Sequence, residues 1–492
     1  MILDEIILYA YIFSLSILLF FGSYGFIMIY YHEKYKKKMH RAKDDLPLET
    51  VTVQLPIYNE MYVVDRLINA VCSMDYPKDK LEIQVLDDST DETVEVVAKL
   101  VEEKRKEGFD IKHIRRESRE GFKAGALKEG LKTAKGKFIA IFDADFIPKK
   151  DFLKNTLRYF YDDKVGMVQT RWEHLNEDYS LLTRIQALAL DGHFVIEQTV
   201  RNKAGFFINF NGTGGVWRKD CIEDAGNWEG DTLTEDLDLS YRAQLKGWKF
   251  IYLRDFTTPA ELPAEMNAFK AQQFRWTKGA VETAKKILPL VWKSDIPLRL
   301  KLHSTFHLTN NIVFPFILLA GILNVPLIFI KNAGPYWSFF NIMAIFVIAF
   351  IGSFLFYMFA QKDVYSDWRK RIVLFPLFMA GSMGLALNNT RAVMEGLLNR
   401  KSEFVRTPKF KVVTKNDNPI KNKYFKSTRV QASTYVELIL AVYCLIGVVA
   451  SIYFMEIAAL PFQLMFFTGF AGVSLMSLRQ AYIKKRQLND GL

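Results

Sequence analysis

The chain has 492 residues, a formal net charge of +11 and 50% hydrophobic residues, and its apolar residues gather in long uncharged runs, the pattern of a soluble domain joined to membrane spans. The basic excess flanks those runs, where lysine and arginine meet anionic headgroups, so the charge calls for membrane lipids and argues against a nucleic-acid partner. Three cysteines form no CxxC and no zinc set with the seven histidines, which argues against a disulfide framework or a structural metal.

In chain order, Ile6 to Tyr31 carries no charged residue and, at about 1.5 Å per residue, can cross a hydrocarbon core of about 30 Å. It is too long for a signal-peptide core and reads as a retained anchor, an N-terminal transmembrane segment over 1–32. Residues 33–260 follow as a cytosolic domain. TVQLPIY (Thr52 to Tyr58), LEIQVLDDS (Leu81 to Ser89), DIKHIRR (Asp110 to Arg116) and KFIAIFDAD (Lys137 to Asp145) are predicted strands, separated by helical segments such as ETVEVVAKLVEEKRKE. That alternation predicts an α/β domain, a mostly parallel sheet with helices on both faces, whose ligands sit beyond the carboxyl ends of the strands.

Those ends are unusual: PIYNE, LDDST and FDADF bring acidic and amide side chains to one rim, where mutual repulsion calls for a cation or a substrate. Asp143 and Asp145, two apart at a strand end, are expected to project to one side and to approach one hard divalent ion, Mg2+ or Mn2+. Asp236 and Asp238 have the same spacing but fall in a predicted helix, LTEDLDLSYRAQLKGW, where positions two apart diverge. Asp87 and Asp88 also suit an N-cap for the following helix. GFKAGALKEG (Gly121 to Gly130) sets Lys123 between glycines at a helix start, which suits either a phosphate or a tight turn.

Residues 261–305 carry apolar and basic positions at helical spacing and are expected to lie on the membrane surface as amphipathic helices. Leu308 to Ile330 and Tyr336 to Ala360 give two spans within 306–360, and Leu438 to Met455 and Ile457 to Leu478 two more within 434–480. Ile372 to Thr390 is interrupted by Pro376, Gly381, Ser382, Gly384 and two asparagines. If it only dips into the interface, HEKYKKKMHRAK, DWRKR, Arg391 to Arg429 and the final KKR all stay cytoplasmic; as a sixth span it would export the most basic loop. Residues 361–433 are therefore expected to form an interfacial helix and a cytosolic loop, and 481–492 a cytosolic tail. The prediction is a multi-pass membrane protein, in the plasma (inner) membrane if bacterial. Glu437 and Glu456 lie near span ends, unlike the ionisable groups of a transport pathway.

Asp88, Asp143-Ala144-Asp145, Thr234-Glu235-Asp236 and Gln272-Gln273-Phe274-Arg275-Trp276 occur in that order, and the set resembles the catalytic domain of glycosyltransferase family 2, of the membrane-embedded type that includes cellulose and hyaluronan synthases. QVLDDSTD, GFKAGALKEG, AIFDADF, FNGTGGVWR and AELPAEMNAFKAQQFRW are similar to the plant cellulose-synthase-like A and C proteins, which include glucomannan and xyloglucan-backbone synthases. The likeness is close over about Val51 to Lys278.

The resemblance implies a GT-A fold inserted between transmembrane helices, a UDP- or GDP-hexose donor, and a glycan or lipid-linked acceptor. It implies that Asp143 and Asp145 hold the metal on the diphosphate, that Arg275 contacts the same phosphates, and that Asp88, with Lys123 nearby, contacts the nucleotide. Asp236 would be the general base, with Glu235 beside it. Trp276 would stack on the acceptor sugar, and Gln272 would orient either partner; Trp292 is the better candidate for an interfacial anchor. Phe404-Val405-Arg406-Thr407-Pro408-Lys409 fits a gating-loop pattern F-x-V-T-x-K at the phenylalanine, Thr407 and Lys409, with Arg406 in place of the valine. Three readings follow: a processive β-glycan synthase, a single-addition transferase acting on a lipid acceptor, and an inactive scaffold or transporter.

Overall fold

The computed structural model describes residues 2–44, 46–400, 406–414, 416–417, 422–424 and 430–489. The helices of its first half are α1 (Ile2–Tyr35), α2 (Val64–Cys72), α3 (Thr93–Lys106), α4 (Phe122–Thr133), α5 (Phe152–Leu157), α6 (Leu181–Asp191), α7 (Thr199–Ala204), α8 (Lys219–Asp224) and α9 (Glu235–Leu245). Those of the second half are α10 (Met266–Lys293), α11 (Leu298–Thr309), α12 (Val313–Ala333), α13 (Trp337–Met343), α14 (Val347–Val364), α15 (Trp368–Ile372), α16 (Phe375–Gly384), α17 (Ala386–Leu397), α18 (Ala432–Tyr453) and α19 (Leu460–Asn489).

Seven strands form one mixed sheet in the order β3-β2-β1-β4-β6-β5-β7: β1 (Val51–Ile57), β2 (Leu81–Asp87), β3 (Asp110–Arg115), β4 (Phe138–Ile141), β5 (Val165–His174), β6 (Gly215–Arg218) and β7 (Lys249–Ala260). β1 to β4 are parallel, β5 is parallel to β7, and β6 runs antiparallel to β4 and β5. β1 and β2 are buried almost throughout, as strands covered on both faces must be. On one face Leu67 and Ile68 of α2 and Val97 of α3 pack with Val53 and Val85. On the other, Leu127 of α4, Ile222 of α8 and Leu239 of α9 pack with Ile139, Ile141 and Trp217.

Two local expectations need correction. The fourth strand ends at Ile141, not Asp145, and Asp143-Ala144-Asp145 form a turn closed by a hydrogen bond from Phe146 N to Asp143 O at 3.0 Å. Strand alternation therefore does not set where the two carboxylates point. Neither Asp87 nor Asp88 caps the next helix, because α3 begins at Thr93 and it is Asp91 Oδ1 that accepts from Thr93 N, at 3.0 Å. Asp87 instead turns back on the sheet, accepting from Ser89 N at 2.9 Å and lying 2.8 Å from His113 Nε2.

Among the described residues, five helical segments are long and apolar enough to cross a membrane: Ile2–Tyr35, Leu298–Ala333, Ser338–Val364, Ala432–Tyr453 and Leu460–Ile483. The interrupted run at Ile372 to Thr390 becomes α16 and α17, and the helix pair bends there by 47°. Gly384 of α16 meets Gly469 of α19 so closely that a Cβ on Gly384 would lie 2.3 Å from Gly469 O, the tight backbone approach that small residues allow between apolar helices. Trp292, near the end of α10, is 46% exposed.

α10 carries the sheet domain to the spans. Its Lys270 is buried against Glu437 of α18 at 2.7 Å, with side-chain exposures of 3% and 0%. Removing one member of so buried a pair strands the other charge. Glu437→Gln is expected to lower stability by about 3–5 kcal/mol, read as thermal melting of the solubilised chain, and Lys270→Met in the same molecule should restore most of the loss.

Candidate active site

The loops after β1, β2 and β4 meet the start of α9 and the middle of α10 around a cavity of about 220 Å3. After β1, Asn59 takes a positive φ of 55°, which places its N–H 2.8 Å from Ser89 Oγ and its side-chain oxygen 2.8 Å from Thr90 N. PIYNE and LDDST are thus tied into one wall. On that wall the Asp88 carboxylate accepts two bonds from Arg116, Nε at 3.0 Å and Nη2 at 2.5 Å, a bidentate pairing that fixes its plane. The Arg119 guanidinium lies 3.3 Å above the Tyr58 ring, a cation–π platform.

The opposite wall is acidic. Lys123, on the first turn of α4, sits 2.6 Å from Asp143 Oδ1 and donates to Gly212 O at 2.9 Å, so it lies by the D-x-D turn and the bed of α9, with Arg116 as the partner of Asp88. Asp145 is paired with Lys409 Nζ at 2.5 Å. Glu235 and Asp236 open α9, and Leu237 N donates to Asp236 Oδ1 at 2.8 Å. Burial raises the affinity of the Glu235 and Asp236 carboxyls for a proton, each opposed by Lys123; Asp236, with Glu235 adding like charge, is pushed up to about 7. Burial likewise raises Asp143 against the pull of Lys123.

Arg275 and Trp276 come from α10. Arg275 Nη2 donates to Thr407 Oγ1 at 2.8 Å. Trp276 lies 6.5 Å from Trp172, ring centre to ring centre, at 54°. Gln272 and Trp276 also line a second cavity of about 250 Å3 that runs between α6, α10, α16 and α19 among Leu182, Phe269, Phe378 and Val473. The QxxRW helix therefore borders both spaces, with Arg275 turned only to the first.

All the singled-out residues, Asp88, Lys123, Asp143, Asp145, Glu235, Asp236, Gln272, Arg275, Trp276, Thr407 and Lys409, border the first cavity. Phe404 and Val405 of the gating pattern lie outside the described residues. Arg406, which departs from that pattern, lies 2.7 Å from Glu60 and 4.2 Å above the Tyr424 ring. Burial lifts the Glu60 carboxyl to about 7 despite Arg406. Sequence reasoning did not single out Tyr58, Glu60, Arg119 or Trp172, although the PIYNE rim contains the first two. Asp238 lies in a carboxylate trio with Glu229 and Asp231, bridged by Lys286 at 2.5 to 3.0 Å and met by Arg242 at 2.7 Å from Asp238.

Residues 47–279 match the model described as Glycosyltransferase like family 2. Over 427 residues the chain is 35% identical to the probable glucomannan 4-beta-mannosyltransferase 10 of Arabidopsis thaliana, covering 82% of this chain and 75% of that protein. The chain belongs to glycosyltransferase family 2. This family 2 transferase is also 37% identical over 359 residues to the probable glucomannan 4-beta-mannosyltransferase 4 of Oryza sativa subsp. japonica, covering 71% of this chain but 63% of that one. It spans about half the length of another rice relative. The solved mannosyltransferase PcManGT from Pyrobaculum calidifontis, in complex with GDP-Man and Mn2+, superposes with a TM-score of 0.55 at 19% identity, covering 79% of this chain and all of that one. That likeness establishes the GT-A-like fold of the sheet domain.

Proposed function

We propose that this family 2 transferase moves a hexose from a nucleotide-diphosphate sugar to the end of a growing β-linked glycan, with inversion, and that its sheet domain is cytoplasmic. The observation that carries the reading is the shared wall at Gln272 and Trp276, which sets a polar donor cavity against an apolar one leading among the spans. The names of the relatives favour mannose over glucose as the hexose and a 4-β linkage.

The donor side is cationic where a diphosphate would lie and anionic where its metal would lie. Asp143 and Asp145 fit a hard divalent ion: both offer carboxylate oxygens to one cavity, and each is now neutralised by an ammonium, Lys123 or Lys409. They would hold Mg2+ or Mn2+, and the ion would supply neutralisation of the departing diphosphate. Arg275 adds a permanently charged donor to that leaving group. Asp88, held by Arg116, receives the nucleoside hydroxyls, and the Tyr58–Arg119 platform flanks them. Thr407 and Lys409 close over the donor from the loop, which excludes water.

On the acceptor side, Asp236 takes the proton of the attacking hydroxyl as its oxygen bonds to the anomeric carbon and the bond to the diphosphate breaks. One displacement inverts the centre, so an α-linked donor gives a β-linkage. Glu235 and Lys123 set the charge around that base. Trp276 presents an apolar face to the acceptor ring, a contact that accepts successive identical units. The apolar lining of the second cavity also suits a lipid-linked acceptor, the second reading, and product size separates the two. With radiolabelled donor, a ladder extending to long chains is expected, and discrete short lipid-linked products would exclude processivity. A thermal-shift screen should show stabilisation by a GDP- or UDP-hexose that requires Mg2+ or Mn2+; a shift unaffected by chelation would refute the metal assignment.

A further inference from the structure

A third cavity, of about 370 Å3, runs among the spans and shares no lining residue with the donor cavity. α1 lines it with Tyr11, Leu15, Leu18, Gly22, Gly25 and Met28, residues three or four apart and so on one helix face. From first to last they rise about 25 Å, most of a hydrocarbon core of about 30 Å. The facing walls are Ile317 of α12, Phe350 of α14, Met383 of α16 and Phe466 of α19. Most of this lining is apolar, with Asn310, Ser353 and Ser382 as scattered polar members, and the space is of the size that holds small ligands.

One end is different. Glu197, in the π-helical turn Gly192–Gln198, and Arg201 of α7 border the cavity at the sheet-facing end of α1, beside Tyr24 and Met28. Arg201 is 2% exposed; its Nη1 lies 3.4 Å from Glu197 Oε2, and neither Nη1 nor Nε makes a hydrogen bond. Glu197 balances the charge of this guanidinium, but buried donors left without a hydrogen bond are costly, and a phosphate matches the fork they form. Beyond it, Glu197 Oε2 lies 3.0 Å from His193 Nδ1, and His193 Nε2 lies 3.1 Å from Asn211 Oδ1 in the wall of the donor cavity. Burial opposes the charge on Glu197, yet Arg201 and His193 hold its carboxyl down at about 2. Glu197 and His193 thus stand between Arg201 and the Asn211 wall of the donor cavity.

We propose that this cavity holds one anionic glycerophospholipid from the surrounding bilayer, an acyl chain along α1 and the phosphate on Arg201, as a resident ligand and not as the sugar acceptor. The site goes beyond the transfer reaction and does not depend on which sugar is moved. Native mass spectrometry of the full chain tests it, after delipidation in detergent and re-addition of dioleoyl phosphatidylglycerol or dioleoyl phosphatidylcholine. The wild type is expected to retain one phosphatidylglycerol at least about tenfold more tightly than phosphatidylcholine. Leu18→Trp, which fills the slot, should lose the adduct, and Arg201→Gln should hold both lipids equally, each variant eluting as wild type from size exclusion. Equal retention of the two lipids by the wild type, or an adduct that survives Leu18→Trp, would overturn the site; both arms stand even if Arg201→Gln fails to fold. So would finding the cavity filled instead by a polyprenyl phosphate that is converted to product, or by the product glycan.

Discussion

Asp236→Asn is expected to lower kcat by about a thousandfold, the loss of a general base, while donor affinity stays near that of the wild type. The substitution keeps size and the hydrogen bond from Leu237 N but removes the carboxylate proposed to receive the acceptor proton. Its environment sets the pH dependence. Burial and Glu235 push the Asp236 carboxyl up to about 7, so the ionised base is lost as pH falls through that value. The rate should be level above it and fall about tenfold per unit well below it, read as kcat between pH 5 and 9. Asp236→Asn with a tenth or more of wild-type activity, or a wild-type profile flat down to pH 5, would remove Asp236 from the role.

The second large effect belongs to the other half of the reaction. Arg275→Ala should cut kcat and kcat/KM together by about 10²–10³-fold, the loss of one preorganised donor to a developing charge. Arg275→Lys should recover only part of this, because an ammonium keeps the charge but not the planar fork. The guanidinium already reaches Thr407 at 2.8 Å, so the loop and the proposed leaving-group donor share one contact. A rise in KM with kcat unchanged would place Arg275 in ground-state binding alone.

The parts of this site legible in the sequence were those held by short-range pattern. Branched and aromatic runs located β1 to β4, and polar clusters marked the rim, because strand ends in such sheets are local features. β5 to β7 were not read as strands: β6 has four residues, while β7 carries Arg254 and Asp255 at its middle and Pro259 near its end, and shifts register against β5 between Thr170 and Arg171. A bulge of that kind breaks the two-residue period. The Glu60–Arg406 pair, the seat of Lys409 on Asp145 and the Tyr58–Arg119 platform join loops far apart in the chain, and no local pattern reports them. Arg406 was visible only as a departure from a motif; the structure pairs it with the buried Glu60 carboxylate. The two-sided character of Gln272 and Trp276 follows from helix packing around α10, which spacing alone places on one face without saying what that face meets.

The most direct measurement is transfer from radiolabelled, α-configured GDP-mannose by the full chain in lipid with Mn2+, followed by β-mannanase digestion and NMR of the anomeric protons. A β-linked polymer that the β-mannanase degrades, absent with Asp236→Asn, is the predicted result. An α-linked product, or release of free mannose with no polymer, would contradict a single inverting displacement onto a growing chain.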